Sequence, residues 1–195
     1  MLLILAFISV IFAKPLALQN GDIIFQTSSS SQSKAIQLGT NSPYSHVGII
    51  YIEGDDTMVF EAIRTVQLTP LKQWIARGEN SQYTLMRVKD SLSTTQVQKM
   101  KQIGRNYAGK PYDIQFAWGN DKIYCSELVW KVYDEGAGIK LSSPRTMDSY
   151  NFDNPQVLSL MEARWNGTIN WSETVVAPSD IANSSKLKII KTSYQ

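Results

Sequence analysis

The sequence predicts an α+β fold, in which short β-strands occur together with amphipathic helices. Two runs rich in β-branched and apolar residues flank the turn at Gly54-Asp55, so residues 46–63 are typical of a β-hairpin. Apolar residues recur at helical spacing after Ser93 and again from Cys125, which indicates two amphipathic helices. A chain of 195 residues with 43% hydrophobic and 18% charged residues has the composition of one globular domain.

The remaining segments predict shorter elements that complete this domain. In chain order they are a strand over residues 23–25, a helical segment around 34–38, a short helix after Pro70, a strand over 83–88, a loop with Pro155, a helix from Pro178 and a closing strand over 187–190.

The N-terminal residues predict an export signal. Residues 2–12 form a nearly unbroken apolar run that is followed by a small residue, which is typical of a signal peptide over residues 1–13. A short segment, residues 14–19, then leads into the folded domain, residues 20–195. No Lys or Arg precedes the run and Pro15 follows it closely, so an uncleaved membrane anchor or a buried strand remains an alternative. We expect the protein to be exported, to the periplasm or the exterior of the cell, or to be anchored to the membrane.

The charge and the cysteine and histidine counts exclude several classes of partner. A formal charge of +2 comes from 19 basic and 17 acidic residues without a basic run, so nucleic acid is not expected to bind. One cysteine cannot form an internal disulfide, and one cysteine with one histidine is a poor ligand set for zinc. We therefore expect no metal and no cofactor. A small-molecule, peptide or lipid substrate is expected instead, and the oligomeric state is left open.

Cys125 stands at the start of an amphipathic helix, where a cysteine can act as a nucleophile. Leu128, Val129, Val132 and Tyr133 form the apolar stripe of this helix. The unpaired amides and the positive end of the helix dipole favour a thiolate at this position. A small buried hydrophobic residue is the alternative interpretation of a free cysteine.

The predicted hairpin places His46 and the acid Glu61 on one face. With Gly54-Asp55 as a two-residue turn, Gly48 lies opposite Glu61 and His46 opposite Ile63. His46 and Glu61 are then diagonal neighbours, within reach of a glutamate side chain. A partly solvated edge position for Glu61 is the alternative, and a register slip of one residue would separate the pair.

Together these segments resemble a known enzyme family. The motifs that carry the resemblance are Asn20-Gly21-Asp22-Ile23-Ile24-Phe25, Ser45-His46-Val47-Gly48-Ile49, Phe60-Glu61-Ala62, Gly109-Lys110-Pro111-Tyr112-Asp113, Tyr124-Cys125-Ser126-Glu127-Leu128-Val129 and Ala177-Pro178-Ser179-Asp180. Their order and spacing are similar to those of the YiiX/YebB-like permuted papain-like cysteine hydrolases, relatives of the NlpC-type cell-wall peptidases.

The resemblance implies both a fold and a set of site residues. The fold is a circularly permuted papain-like α+β fold, with the cysteine helix packed on a small antiparallel sheet that bears the histidine. Cys125 is implied as the nucleophile, His46 as the general base and acid, and Glu61 as the acid that orients His46. Tyr112 matches a tyrosine that lies near the cysteine in the relatives, and together with Tyr124 it is assigned to a supporting or oxyanion region. The sequence departs from papain-like proteases in one respect, since no glutamine precedes Cys125 at the position that supplies their second oxyanion donor.

One other acid competes with Glu61 for the role of orienting the histidine. Asp113 lies in a turn that must pass close to the cysteine helix, so a contact with His46 is an alternative at this stage. The acids at the hairpin turn lie too near solvent to hold an imidazole in one tautomer.

The predicted function is a cysteine-dependent hydrolase of the amidase or peptidase type. It would act through an acyl-enzyme on the amide of a peptide or of an N-acylated small molecule. Because Phe116 and Trp118 are candidates to line an acyl pocket, an acyltransferase or a thioesterase or lipase acting on acyl-lipid esters is the alternative. A catalytically silent binding module on the same scaffold is a third possibility.

Overall fold

The computed structural model describes residues 17–30 and 32–194. The predicted signal peptide, residues 1–13, lies outside the described residues. Within that described part, no helix has both the length and the apolar character needed to cross a membrane. The strands are β1 Ile23–Gln26, β2 His46–Glu53, β3 Asp56–Ala62, β4 Val66–Pro70, β5 Thr84–Val88, β6 Arg145–Thr146, β7 Thr174–Val175 and β8 Leu187–Thr192. The α-helices are α1 Ser33–Thr40, α2 Leu71–Ala76, α3 Thr94–Tyr107, α4 Cys125–Lys131, α5 Pro155–Arg164 and α6 Pro178–Ala182.

Six strands form one antiparallel sheet in the order β4-β3-β2-β1-β5-β8, and β6 pairs with β7 in a separate ribbon. The hairpin of β2 and β3 has the predicted register, because Glu53 pairs with Asp56 and Ile49 with Phe60. Gly48 therefore lies opposite Glu61. A side chain at position 48 would collide with the partner strand, since an added Cβ would lie 2.4 Å from Cγ1 of Val59. The mixed helices and antiparallel sheet confirm the α+β prediction.

The two faces of the sheet bury different sets of side chains because successive strand residues point to opposite sides. One face carries Phe25, Val47 and Phe60 and packs with α4 in the main core. The other face carries Ile24, Ile50 and Val59 and is covered by Trp74 of α2. Strand β2, whose first residue is His46, therefore contributes side chains to the cores on both faces of the sheet.

The helix that begins at Cys125 continues without a break as a π-helical turn over Val132–Ala137 and ends at Gly138, which has φ 71°. The predicted stop at the two glycines is thus correct to within a residue. Gly136 allows α3 to pack closely, because an added Cβ there would lie 2.6 Å from Cα of Met100.

A smaller layer built from α1, α5 and the β6–β7 ribbon lies beside the start of α4. Its core consists of Met147, Met161 and Val175. The loop predicted around Pro155 is wrong, because Pro155 is the first residue of α5 and Asn154 caps that helix by accepting a hydrogen bond from the Gln156 amide. The predicted helix from Pro178 and the closing strand are present as α6 and β8.

Candidate active site

Cys125 and His46 meet where the first residue of α4 faces the first residue of β2. Both are buried, with 3% and 7% of their surface exposed. The His46 ring stacks on Trp74, with the ring centroids 5.8 Å apart. His46 and Cys125 lie near enough for each side chain to favour the charged form of the other. The helix stripe and the strand start thus bring together the single histidine and the single cysteine of the chain.

Glu61 lies on the other side of the imidazole. Its Oε2 is 2.5 Å from Nε2 of His46, and its side chain is fully buried. The Thr69 hydroxyl donates to Oε1 at 2.6 Å, and Nη2 of Arg77 contacts the two carboxylate oxygens at 2.7 and 2.6 Å. The hairpin register places Glu61 on the His46 face, and the Nε2 contact leaves Nδ1 for Cys125.

The electrostatics of this cluster favour charged forms in spite of burial. Burial opposes the imidazolium of His46, but hydrogen bonds and charges of Cys125 and Glu61 outweigh it and raise its pKa to about 9. Burial also opposes ionisation of Glu61, but His46, Arg77 and Thr69 hold its pKa at about 2. For Cys125, the hydrogen bond and the charge of His46 outweigh burial and lower the thiol pKa below its ordinary value. The cluster therefore favours a thiolate–imidazolium pair.

The two tyrosines predicted for the oxyanion region lie beside the cysteine in different settings. Tyr112 lines the same pocket as Cys125 and contacts it, and its hydroxyl accepts a hydrogen bond from Nε2 of Gln32 at 3.4 Å. Tyr124 precedes α4, and its hydroxyl accepts a hydrogen bond from the Val176 amide at 3.1 Å. Tyr124 thus ties the start of α4 to the segment between β7 and α6.

Asp113, the competing acid, has a different partner. Its Oδ1 accepts a hydrogen bond from the Gln115 amide at 2.9 Å, and its side chain is buried. The carboxylate that contacts His46 is Glu61. Asp113 shapes the turn before α4.

An apolar pocket with a cavity volume of about 100 Å³ opens from Cys125 toward the smaller layer. It is lined by Ala35, Ile36, Gly39, Thr40, Ser45, Tyr112, Phe116, Tyr124, Cys125, Ser126, Met147, Tyr150, Phe152, Val157, Leu160, Met161, Val175, Val176, Ala177 and Pro178. Asp, Glu, Lys and Arg are absent from this lining. Phe116 lines the pocket as predicted, whereas Trp118 does not belong to this lining and packs instead on Trp130, with ring centroids 5.2 Å apart.

Several site residues escaped prediction from the sequence. Arg77 and Thr69 hold Glu61, and Gln32 contacts Tyr112. Alternation along β4 groups Thr69 with the polar Gln67 and so gives no sign that Thr69 is buried. Arg77 and Gln32 lie at helix ends where no periodicity indicates a partner. Their contacts depend on how α2 and α1 dock on the sheet.

Comparison with known proteins identifies a family for this geometry. A family model described as permuted papain-like amidase enzymes of the YaeF/YiiX type, the C92 family, matches residues 17–191. The protein YiiX of Escherichia coli strain K12 is 45% identical over 172 residues, which cover 88% of this chain and 85% of YiiX.

A solved structure is similar over nearly the same range. The crystal structure of YiiX from Escherichia coli O157:H7, described as a metalloprotein, has a TM-score of 0.88 and 44% sequence identity. The match covers 91% of this chain and 98% of that chain. The predicted family resemblance and the permuted papain-like fold are confirmed.

The expectation that the protein binds no metal is wrong in the light of this comparison, because the similar crystal structure is described as that of a metalloprotein. Within residues 17–30 and 32–194, no group of three His, Cys, Asp or Glu side chains is placed to hold a metal ion. His46 also has its Nε2 engaged by Glu61. The metal of the similar structure therefore has no matching cluster of these four side-chain types among the residues that the structure describes.

Proposed function

Since the chain belongs to the permuted papain-like amidases of the YaeF/YiiX type, we propose that it is a cysteine hydrolase with Cys125 as the nucleophile, His46 as the general base and acid, and Glu61 as the orienting acid. The observation that carries this proposal is the His46 ring, which has Glu61 2.5 Å from Nε2 and Cys125 on its other side. A nucleophile, a base and an orienting group in this order are the signature of covalent acyl transfer.

The reaction begins from the thiolate–imidazolium pair. The Cys125 thiolate attacks the carbonyl carbon of an amide, a C–S bond forms, and the π electrons of the carbonyl move to its oxygen. When this oxyanion collapses, the C–N bond breaks and the leaving amine takes the proton from His46. Water, deprotonated by His46, then attacks the thioester carbon, which releases the acid and restores the thiolate.

Glu61 keeps the imidazole in the tautomer that this cycle needs. A carboxylate on Nε2 holds the Nε2 proton, so that Nδ1 exchanges the proton with sulfur and leaving group. Because the Glu61 pKa is about 2, Glu61 remains a carboxylate and stabilises the imidazolium that forms at each step.

The oxyanion would lie between the backbone N–H of Cys125 and the hydroxyl of Tyr112. The first-turn amides of a helix have no intrahelical acceptor, so the Cys125 N–H is available for a negatively charged oxygen. Burial and the Cys125 charge keep the Tyr112 pKa well above its usual value, so its hydroxyl retains the proton that it would donate. One such preorganised donor is worth about 3–4 kcal/mol in the transition state.

The apolar pocket favours a substrate whose acyl group is a hydrocarbon chain. Apart from Tyr112, the hydroxyls in its wall are already bonded within the protein: Thr40 to the Ile36 carbonyl, Ser45 to Ser33, Ser126 to the Val176 carbonyl, Tyr124 to the Val176 amide and Tyr150 to Asp180. A peptide segment in the pocket would lose its hydrogen bonds to water without replacement, which costs about 1–3 kcal/mol for each buried polar group. An N-acylated small molecule therefore fits better than a peptide in this position.

The same pocket favours a second candidate function, the cleavage or transfer of the acyl group of a lipid ester or thioester. The acyl-enzyme would be identical, and only the leaving group and the final acceptor would differ. A polar acceptor that reached the thioester before water would make the enzyme an acyltransferase.

Acyl-enzyme trapping tests the proposal. We expect mass spectrometry of the protein mixed with N-acyl amides and acyl esters of increasing chain length to detect an acyl adduct on Cys125, and the Cys125→Ala variant to show none. Release of fatty acid from esters without any amide cleavage would place the second candidate first. Absence of adducts with every substrate, together with ordinary thiol reactivity of Cys125 toward iodoacetamide, would leave a binding module.

A further inference from the structure

The Gln32 side chain reaches away from its own helix toward the active site. Gln32 precedes α1 without making a side-chain capping bond, and its Nε2 donates instead to the Tyr112 hydroxyl. Arg164, the last residue of α5, donates from Nη2 to Oε1 of Gln32 and from Nη1 to the Ile114 carbonyl, the latter at 2.9 Å. Because a guanidinium has only donors, the Gln32 amide must turn its oxygen to Arg164 and its NH₂ group to Tyr112.

This arrangement determines which way the Tyr112 hydroxyl points. A hydroxyl whose oxygen accepts a hydrogen bond from Gln32 has its own proton free for another acceptor. Tyr112 lines the pocket beside Cys125, so the available acceptor is the sulfur or an oxygen of the reacting acyl group. The Arg164 guanidinium also lies over the Phe116 ring, 5.0 Å from its centroid, and this contact helps to hold the guanidinium where it donates to Gln32.

We propose that Gln32 and Arg164 are positioning residues that turn the Tyr112 hydroxyl proton toward the oxyanion formed at Cys125. The inference rests on the proposed function, since an oxyanion arises only if Cys125 attacks a carbonyl. Every donation in the chain, from Arg164 to Gln32 to Tyr112, runs toward Cys125. The permuted chain would thus supply its second oxyanion donor from α1 and the turn before α4.

Substitution of Gln32 by Glu and by Met tests the direction of donation. The carboxylate introduced by Gln32→Glu would keep the pairing with Arg164 but could only accept from Tyr112, so it would pull the hydroxyl proton away from the oxyanion. We expect Gln32→Glu to lower kcat about tenfold or more with little change in KM, and Tyr112→Phe to lower it by about 10²–10³-fold, the usual cost of one lost oxyanion donor. Gln32→Met, which neither donates nor accepts through an amide, should fall between wild type and Gln32→Glu.

The double variant Gln32→Glu with Tyr112→Phe separates positioning from general structural damage. If Gln32 acts through Tyr112, the double variant should be as active as Tyr112→Phe alone, whereas two independent effects would multiply. Gln115→Glu is the matched control, because Gln115 contacts the Arg164 carbonyl without touching Tyr112. We expect its activity to equal that of the wild type.

Two reagents distinguish failure of this inference from failure of the proposed function. An aliphatic aldehyde adds to the thiolate: a C–S bond forms, the π electrons of the carbonyl move to its oxygen, and His46 keeps its proton. The oxygen of this hemithioacetal carries the negative charge, so the affinity for the aldehyde reports the oxyanion donors. Iodoacetamide alkylates the sulfur by displacing iodide and forms no oxyanion. Gln32→Glu should weaken aldehyde binding by the same factor as kcat, while changing the alkylation rate by less than about twofold.

Each outcome decides one of the two ideas. Equal aldehyde affinity in wild type and Gln32→Glu, multiplicative losses in the double variant, or a reactive thiolate that binds no aldehyde would overturn the positioning role. Ordinary thiol behaviour of Cys125 in the wild type, with its alkylation rate falling near the free-cysteine pKa of about 8.5, would overturn the proposed function itself.

Discussion

Replacement of Glu61 by Gln removes one negative charge and almost no volume, and so tests the orienting role directly. Thr69 and Arg77 donate to Oε1 of Glu61, and Arg77 also contacts Oε2. An amide has only one oxygen, and these donors would hold it at the Oε1 position. The NH₂ group would then face Nε2 of His46 and donate to it, which places the imidazole proton on Nδ1, the wrong nitrogen for accepting the proton of Cys125.

The size of the effect follows from the tautomer and the charge together. The rise of the His46 pKa from 6.5 to about 9 corresponds to about 3 kcal/mol in favour of the imidazolium, and Glu61 shares this with Cys125. In a serine protease triad, the equivalent loss of tautomer control costs about 10⁴-fold in kcat. We expect Glu61→Gln to lower kcat by about two to four orders of magnitude.

The substitution should also reduce the free energy of unfolding. Removing one partner of a buried ion pair costs about 3–5 kcal/mol when the other partner stays buried. Arg77 is about a third exposed and regains water, so a loss of about 1–3 kcal/mol is expected for Glu61→Gln.

Steady-state hydrolysis of an N-acyl amide, measured well below the melting temperature of each variant, gives kcat, and thermal unfolding gives the change in stability. Asp113→Asn is the control, because it also neutralises a buried carboxylate near α4 but one that bonds the Gln115 amide. Its kcat should stay within about tenfold of the wild type. Wild-type kcat in Glu61→Gln, or an equal loss in Asp113→Asn, would refute the assignment of Glu61 as the orienting acid.

Three further outcomes are expected. Arg77→Met should lower kcat by about tenfold or more and reduce stability, because Glu61 loses the donor that contacts both its oxygens. Hydrolysis and thermal unfolding measure the two effects, and an unchanged kcat would show that Arg77 has no role in the active site. In a pH series, kcat/KM should rise through the lowered pKa of Cys125 and fall above about pH 9, where His46 loses its proton. Alkylation of Cys125 by iodoacetamide should stay fast above about pH 9, because the thiolate persists there. A parallel decline of kcat/KM and of the alkylation rate would contradict the ion pair. Val157→Trp, which fills the apolar pocket, should raise KM for long acyl chains more than for acetyl substrates in the same assay, and equal effects on both would place the acyl chain elsewhere.

Local sequence signals are sufficient to predict the hairpin and the cysteine helix. A two-residue glycine turn fixes the pairing of every residue along β2 and β3, so the faces of His46 and Glu61 follow from counting. The stripe from Cys125 to Tyr133 likewise fixes which side of the helix faces the sheet. These features depend on neighbours within a few residues or on one turn.

The partners of these residues come from distant segments and have no local signal. Arg77 reaches Glu61 because α2 folds back over β3, and the pocket wall combines α1, α5 and the β6–β7 ribbon. The predicted loop at α5 is wrong for a local reason, because a proline is favourable at the first helical position, where Pro155 lies. Phe116 lines the pocket and Trp118 does not, because Trp118 packs against Trp130 of α4, a contact that no local pattern indicates.

Arg77 also explains why a fully buried carboxylate does not take over the proton that His46 handles. In the proposed cycle His46 alternates between imidazolium and neutral imidazole, so Glu61 periodically loses its cationic partner. A buried carboxylate without a cation would raise its own pKa and compete for the proton. Because Arg77 contacts both oxygens of Glu61 at 2.7 and 2.6 Å, a positive charge remains beside it at every step. In the proposed cycle, the proton released by Cys125 would therefore go to the leaving group through His46 and would not be retained by Glu61.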